Sequence, residues 1–241
     1  MISGGGTTMD AMIEACQSGK IPDTEVGLII TSSAKAGGIE KAKKRGIPEK
    51  DIVVINPKNF RMHNSKEQDE LIFGEAILEE CRRRSINVIT QNGWMKHTPD
   101  NVTSFYRGRI FNQHPGDPKN FGGPGMTGLT VHKATIRYWE MLSTVEPQIW
   151  EQAKTHVVAQ YVDPQYDKGV VILYKQVPVL STDTPEILQQ RALPYEHAVQ
   201  IELLQRYVGE RIFGLVEYAG IVLPGTEDYA RMAKDEALIP A

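Results

Sequence analysis

The sequence predicts an α/β fold, in which a mostly parallel β-sheet is covered by helices on both faces. Short apolar runs at residues 26–31 (VGLIIT) and 51–55 (DIVVI) have the character of buried strands. Segments with apolar residues at helical spacing alternate with these runs, the order that lays crossover helices over parallel strands. A length of 241 residues suits one sizeable domain with room for a short C-terminal extension.

Only Met1 and Ile2 precede the first glycine run, whereas a strand usually needs about five or six residues. A strand at the start is therefore expected to be stunted, or Met1 not to be the natural start. Residues 9–18 read as a helix with Met9, Met12, Ile13 and Cys16 along one face. After the strand at 26–31, residues 37–45 form a helix that ends at Gly46. The strand at 51–55 precedes a long amphipathic helix at 66–84, with Leu71, Gly74, Leu78 and Cys81 on one face. Residues 87–90 form a strand that runs into the turn Gln91-Asn92-Gly93. Residues 102–105 and the pair Ile110-Phe111 then lead into Asn112. The loop at 115–128 is dense in glycine and proline, and residues 129–145 return to helix. Two β-rich runs, 155–161 and 170–179, flank a polar segment as in a hairpin, and a long helix covers 185–208. The expected division is a main domain at 1–208 and an extension at 209–241 packed on it or trailing from it.

Composition narrows the function classes. A formal net charge of −3 offers no general attraction to nucleic acid or an anionic membrane, so any phosphate must be captured by a local site. No apolar run approaches the roughly 20 residues of a membrane helix. The N-terminus also lacks the basic-then-apolar pattern of a signal peptide. Cys16 and Cys81 are too few and too far apart for a disulfide framework or a structural zinc site. A reducing, cytoplasmic setting is expected.

Three motifs carry chemistry. Ser3-Gly4-Gly5-Gly6-Thr7-Thr8 stands before a helix, where glycines let an anion approach the backbone and free N–H groups favour negative charge. The same residues could equally form a flexible turn. They lack the lysine of a P-loop and the spacing of a dinucleotide fingerprint. Asn112-Gln113-His114-Pro115 follows an apolar pair, at the carboxyl end of a strand where ligands bind in open α/β sheets. Alternation points Asn112 and His114 the same way, and an amide beside an imidazole can stabilise an oxyanion and move a proton. A lone histidine is more often structural, and Pro115 could simply end the strand. In the polar segment Val162-Asp163-Pro164-Gln165-Tyr166-Asp167-Lys168-Gly169, a carboxylate held near an imidazole would favour its cationic form. Aspartate and glycine are also ordinary turn residues there.

Taken in order, ISGGGTT, NGWMK, FNQHP, VDPQYDKG with VILYKQVPV, and the helix around Glu196-His197 resemble the glycinamide ribonucleotide formyltransferase family. The resemblance runs from Met1 to about Val208. It implies a Rossmann-like formyltransferase fold that carries a formyl group from 10-formyltetrahydrofolate to the amine of glycinamide ribonucleotide, in purine biosynthesis. It makes Asn112 and His114 the catalytic pair and Asp167 the residue that keeps the imidazole protonated. Gly6, Thr7 and Thr8 become the substrate-phosphate loop, and Glu196 an acidic residue near the ribose and glycinamide. Trp94, Met95, Lys96, His97, Thr98, Val162 and Asp163 become the folate-binding set. Such a transfer needs no metal, and the six histidines show no ligand spacing. The expected partners are small molecules, not nucleic acid or membrane, with the chain a monomer or homodimer.

Two segments depart from that family. Gly116-Asp117-Pro118-Lys119-Asn120 stands where it carries Ser-Leu-Leu-Pro, and Lys96, His97 and Thr98 replace an arginine and two aliphatics. Polar groups at His97 and Thr98 need partners, so weaker folate binding is expected, relieved by His97→Ile with Thr98→Leu. The rival enzymes are formyltetrahydrofolate deformylase, which carries an extra N-terminal domain, and sugar-nucleotide or initiator-tRNA formyltransferases. The rival from another class, a silent folate or nucleotide binder, would be expected to lose one of Asn112, His114 and Asp167.

Overall fold

Branched apolar residues in short runs favour strands, and here they pair in parallel within the first of two units into which the chain divides. The computed structural model describes residues 1–61, 65–209 and 216–240. The first unit takes in Met1–Asn112, Tyr161–Pro164 and the described part of 200–213. Its elements are α1 (Thr7–Gln17), β1 (Ile29–Thr31), α2 (Gly38–Lys44), β2 (Ile52–Val54), α3 (Lys66–Arg83), β3 (Ile89–Gln91), α4 (Asp100–Phe105) and the start of β4 (Ile110–His114). Parallel registers set Ile29 against Ile52 and Ile89 against Ile110. The opening residues join this framework as a single bridge between Ile2 and Thr31. Ile2 donates to the Ile30 carbonyl at 2.9 Å, and on the other side Asn92 donates to the Met1 carbonyl at 2.9 Å. The opening residues thus make one bridge rather than a strand, hydrogen-bonded on both edges.

Ser65 caps α3 by accepting the Gln68 N–H at 3.1 Å, and the helix buries Phe73, Gly74, Ile77, Leu78 and Cys81. Leu71 was expected on that face but is 56% exposed, because the apolar stripe runs through Phe73 and Ile77 instead. Phe73, Ile77, Leu78 and Cys81 pack with Ile89, Trp94, Val102, Tyr106 and Ile110. Residues 102–105, which lead toward Asn112, are helical, part of α4.

The second unit takes in Gln113–Gln160, Gln165–Val199 and the described part of 214–241. It holds α5 (Pro118–Phe121), α6 (Leu129–Ser143), β5 (Lys154–Tyr161, all but its last residue), β6 (Val171–Pro178), the first part of α7 (Pro185–Val208) and α8 (Glu227–Leu238). The hairpin expected from the two β-rich runs is β5 antiparallel to β6, with a register shift at Ala159/Gln160. Two helices go beyond the sequence reading. Within the loop at 115–128, Asp117 caps α5 and Pro118 occupies its first turn. Beyond residue 208, α8 packs along α6, with Ala230, Ala233 and Ala237 buried. Arg137 of α6 donates to Glu236 of α8 at 2.6 Å.

Candidate active site

β4 ends on His114, which is 3% exposed. The Gly116 carbonyl lies 3.1 Å from its Nδ1, and the Gly116 N–H points at the same atom from 3.3 Å. Nδ1 thus faces the backbone of Gly116, and Nε2 faces Asp167. The Asp167 Oδ2 stands 3.6 Å from Nε2, an ion-pair separation slightly beyond a direct hydrogen bond. Two residues 53 positions apart in sequence are thus brought together by the β5–β6 turn.

The carboxylate is held from two sides. Gly123 N–H donates to Oδ2 at 2.8 Å and Gln160 Nε2 donates to Oδ1 at 3.2 Å. The glycine pair in front of it is required by geometry. A Cβ on Gly122 would come within 2.8 Å of the Asp167 Cβ and 2.3 Å of the Pro118 carbonyl, and Gly123 has φ +102.

Further buried residues near this centre were not singled out by sequence. His132 on α6 is fully buried, and burial, reinforced by the neighbouring His114, pulls its imidazole down to about 4. It is therefore neutral, and among the described residues neither ring nitrogen has a hydrogen-bond partner. Asp117, in the segment that departs from the family, accepts the N–H groups of Lys119 (3.0 Å) and Ile221 (2.9 Å) and the Asn120 amide (2.7 Å). His156 lies 3.0 Å from the Tyr218 hydroxyl, and burial draws its imidazole down to about 4 as well. Tyr218 has its phenol pushed upward by burial and by Asp117 beside it. The altered loop is thus matched to a segment after residue 215, which the sequence could reveal only as an unexplained tail.

Glu196, on α7, is 8% exposed, and burial pushes its carboxyl up to about 7, with the Gln113 side chain opposing. A carboxyl that titrates near neutrality can accept a hydrogen bond or a proton from a bound hydroxyl or amine.

The remaining sequence candidates lie in the first unit. Gly6 caps α1 with φ 64, and Asp10 N–H to Gly6 carbonyl (2.9 Å) is the first bond of the helix. The N–H groups of Thr7, Thr8 and Met9 precede that bond, the arrangement that suits an anion. Asn112 is half-buried on β4, opposite Gln91 in the register with β3. Val162 donates to the Ile110 carbonyl at 3.1 Å, and Asp163 is exposed. Trp94, expected as a pocket wall, has its side chain 7% exposed in the core and stacked on Phe73 at 6.4 Å. Met95 is 45% exposed, and its N–H donates to the Ser3 hydroxyl at 2.9 Å. Lys96 is half-buried. The two polar replacements both have partners. His97 Nε2 is 2.8 Å from the Pro164 carbonyl, and the Thr98 hydroxyl accepts from Gln91 Nε2 at 2.6 Å. The expectation of unpaired polar groups is thus not met at His97 Nε2 or at the Thr98 hydroxyl. Thr98→Leu would instead strand the buried Gln91 amide, at a cost of about 1–3 kcal/mol.

A polar centre at the carboxyl end of a parallel strand, with an imidazole set against a carboxylate, marks an α/β enzyme of group-transfer type. Residues 1–204 match the formyl transferase family, and the chain belongs to it. It is 29% identical over 211 residues to the chloroplastic phosphoribosylglycinamide formyltransferase of Arabidopsis thaliana, covering 88% of this chain and 65% of that protein, less than two thirds of its length. The phosphoribosylglycinamide formyltransferase of Haemophilus influenzae is 28% identical over 83% of this chain and 81% of its own length. The glycinamide ribonucleotide transformylase 1 structure from Symbiobacterium toebii superposes with a TM-score of 0.70 at 26% identity, covering 89% of each chain.

Proposed function

We propose that the chain transfers the formyl group of 10-formyltetrahydrofolate to the amine of glycinamide ribonucleotide. The amine nitrogen attacks the formyl carbon, and a new C–N bond forms as the carbonyl oxygen gains negative charge. Asn112 and His114 stabilise that oxygen, with the Asp167 carboxylate facing the ring. The bond from the formyl carbon to the folate nitrogen then breaks. That nitrogen leaves with a proton, and the new amide nitrogen has lost one. Gly6, Thr7 and Thr8 hold the acceptor phosphate, and Glu196 takes up its ribose or glycinamide. Trp94, Met95, Lys96, His97, Thr98, Val162 and Asp163 hold the folate. The substrates are small molecules handled in the cytoplasm by a monomer or homodimer.

The observation that carries the reading is the 3.6 Å pairing of His114 with Asp167. It is tested by offering 10-formyltetrahydrofolate with glycinamide ribonucleotide, with amino-sugar nucleotides, or with water alone. Fastest turnover with glycinamide ribonucleotide is expected. Preference for an amino-sugar nucleotide, or hydrolysis at equal rate without an amine, would replace this reading by one of its rivals.

A further inference from the structure

The peptide group between Gly122 and Gly123 is engaged at both ends. Its N–H, on Gly123, donates to Asp167 Oδ2 at 2.8 Å. Its carbonyl, on Gly122, accepts from Lys234 Nζ at 2.6 Å. A single amide therefore stands between an ammonium and the carboxylate that faces His114. Donation by a cation to an amide oxygen polarises the amide and strengthens the bond its N–H makes. Lys234 lies on α8, outside the 204 residues that match the formyl transferase family. Two features hold the relay in place: Gly122 admits no Cβ, and Gly123 needs its φ of +102.

We propose that Lys234 is a positioning residue that fixes and polarises the Gly122–Gly123 amide, and through it the Asp167 carboxylate opposite His114. Its catalytic consequence rests on the formyl-transfer reading; the relay itself does not. Lys234→Met should move the Gly123 amide proton resonance upfield. It should lower kcat about three- to tenfold, the worth of one hydrogen bond. KM should change less than about twofold, because the interaction acts on the transition state. Lys234→Arg, which keeps the charge and the donor, should retain both the resonance and kcat. Arg137→Met loosens α8 without touching Gly122 and should leave both unchanged. Should Met perturb folding, Lys234→Gln serves as the second variant. An unmoved Gly123 resonance in a folded Lys234 variant would overturn the proposal. So would an Arg137→Met variant that reproduces the loss, since helix docking would then suffice. If the wild-type chain transfers no formyl group, the functional reading falls, while the Gly123 resonance still decides the relay.

Discussion

Asp167 sits in the left-handed backbone region, with φ 55, where asparagine is tolerated nearly as well as aspartate and most other residues are strained. Asp167→Asn therefore removes the charge at little cost to the turn: its side-chain oxygen still accepts from Gly123, and Gln160 must flip its amide to accept from the new Nδ2. The expected result is a fall in kcat of about a hundredfold or more, with KM and melting temperature little changed. A variant of near wild-type kcat would remove the ion pair from the mechanism. Glu196 makes a different, pH-dependent prediction. Its carboxyl titrates near 4.5 when unfolded and about 7 when folded, so within that window the folded protein keeps a proton the unfolded chain has lost. Its contribution is thus present below 4.5 and lost as pH rises toward 7, by at most about 3 kcal/mol. Glu196→Gln should flatten that fall, raising the melting temperature at about pH 8 more than at about pH 4.5; equal shifts at both would refute it. The pairing of His114 with Asp167 was legible only through the family resemblance, since spacing alone could not bring the two together. His132, Asp117 and Lys234 were not legible, because their importance comes from neighbours far off in sequence. Nothing local distinguishes His132 from the other five histidines.

The α1 loop shows how an element limits the mutations that can test it. Gly6→Val, the obvious way to block an approaching phosphate, would bring a Cβ within 2.8 Å of the Gly38 Cα at a positive φ, so it would damage packing as well as binding. Gly5 has nothing within 4 Å of an added Cβ, and Gly5→Val is the cleaner probe. It should raise KM for the phosphorylated acceptor and leave folate affinity nearly unchanged. Equal loss of both would argue against a separate phosphate site at α1. The long elements were readable because their apolar periodicity extends over several turns, as in α3 and α6. α5 spans one turn, too short for periodicity, although Asp117-Pro118 carried a start signal. α8 buries only small side chains, Ala230, Ala233 and Ala237, and a stripe of alanines scarcely rises above a charged surface pattern. Residues 102–105 are too short a run to show a helical period, and Val102 lies in the core cluster with Ile77.

At the scale of the whole molecule, buried imidazoles set the response to acid. His132 and His156 are held to about 4, against 6.5 in the unfolded chain, by burial above all. The unfolded chain therefore takes up protons that the folded protein refuses, and stability present above 6.5 is lost as pH falls toward 4. Each site contributes roughly 3 kcal/mol by this linkage, so the two together outweigh the opposite effect of Glu196. Denaturation midpoints measured from about pH 7 to about pH 4 should fall steeply, and a flat profile would show that these imidazoles are hydrated. The contact of Lys234 with the Gly122 carbonyl has one more consequence, for biogenesis. α8 follows in the chain every other residue of that contact network, so the ribosome delivers His114, the glycine loop and Asp167 before the helix that braces them. A nascent chain stalled between α7 and α8 would display the reacting groups without their brace, and turnover would reach its full rate only as α8 docks.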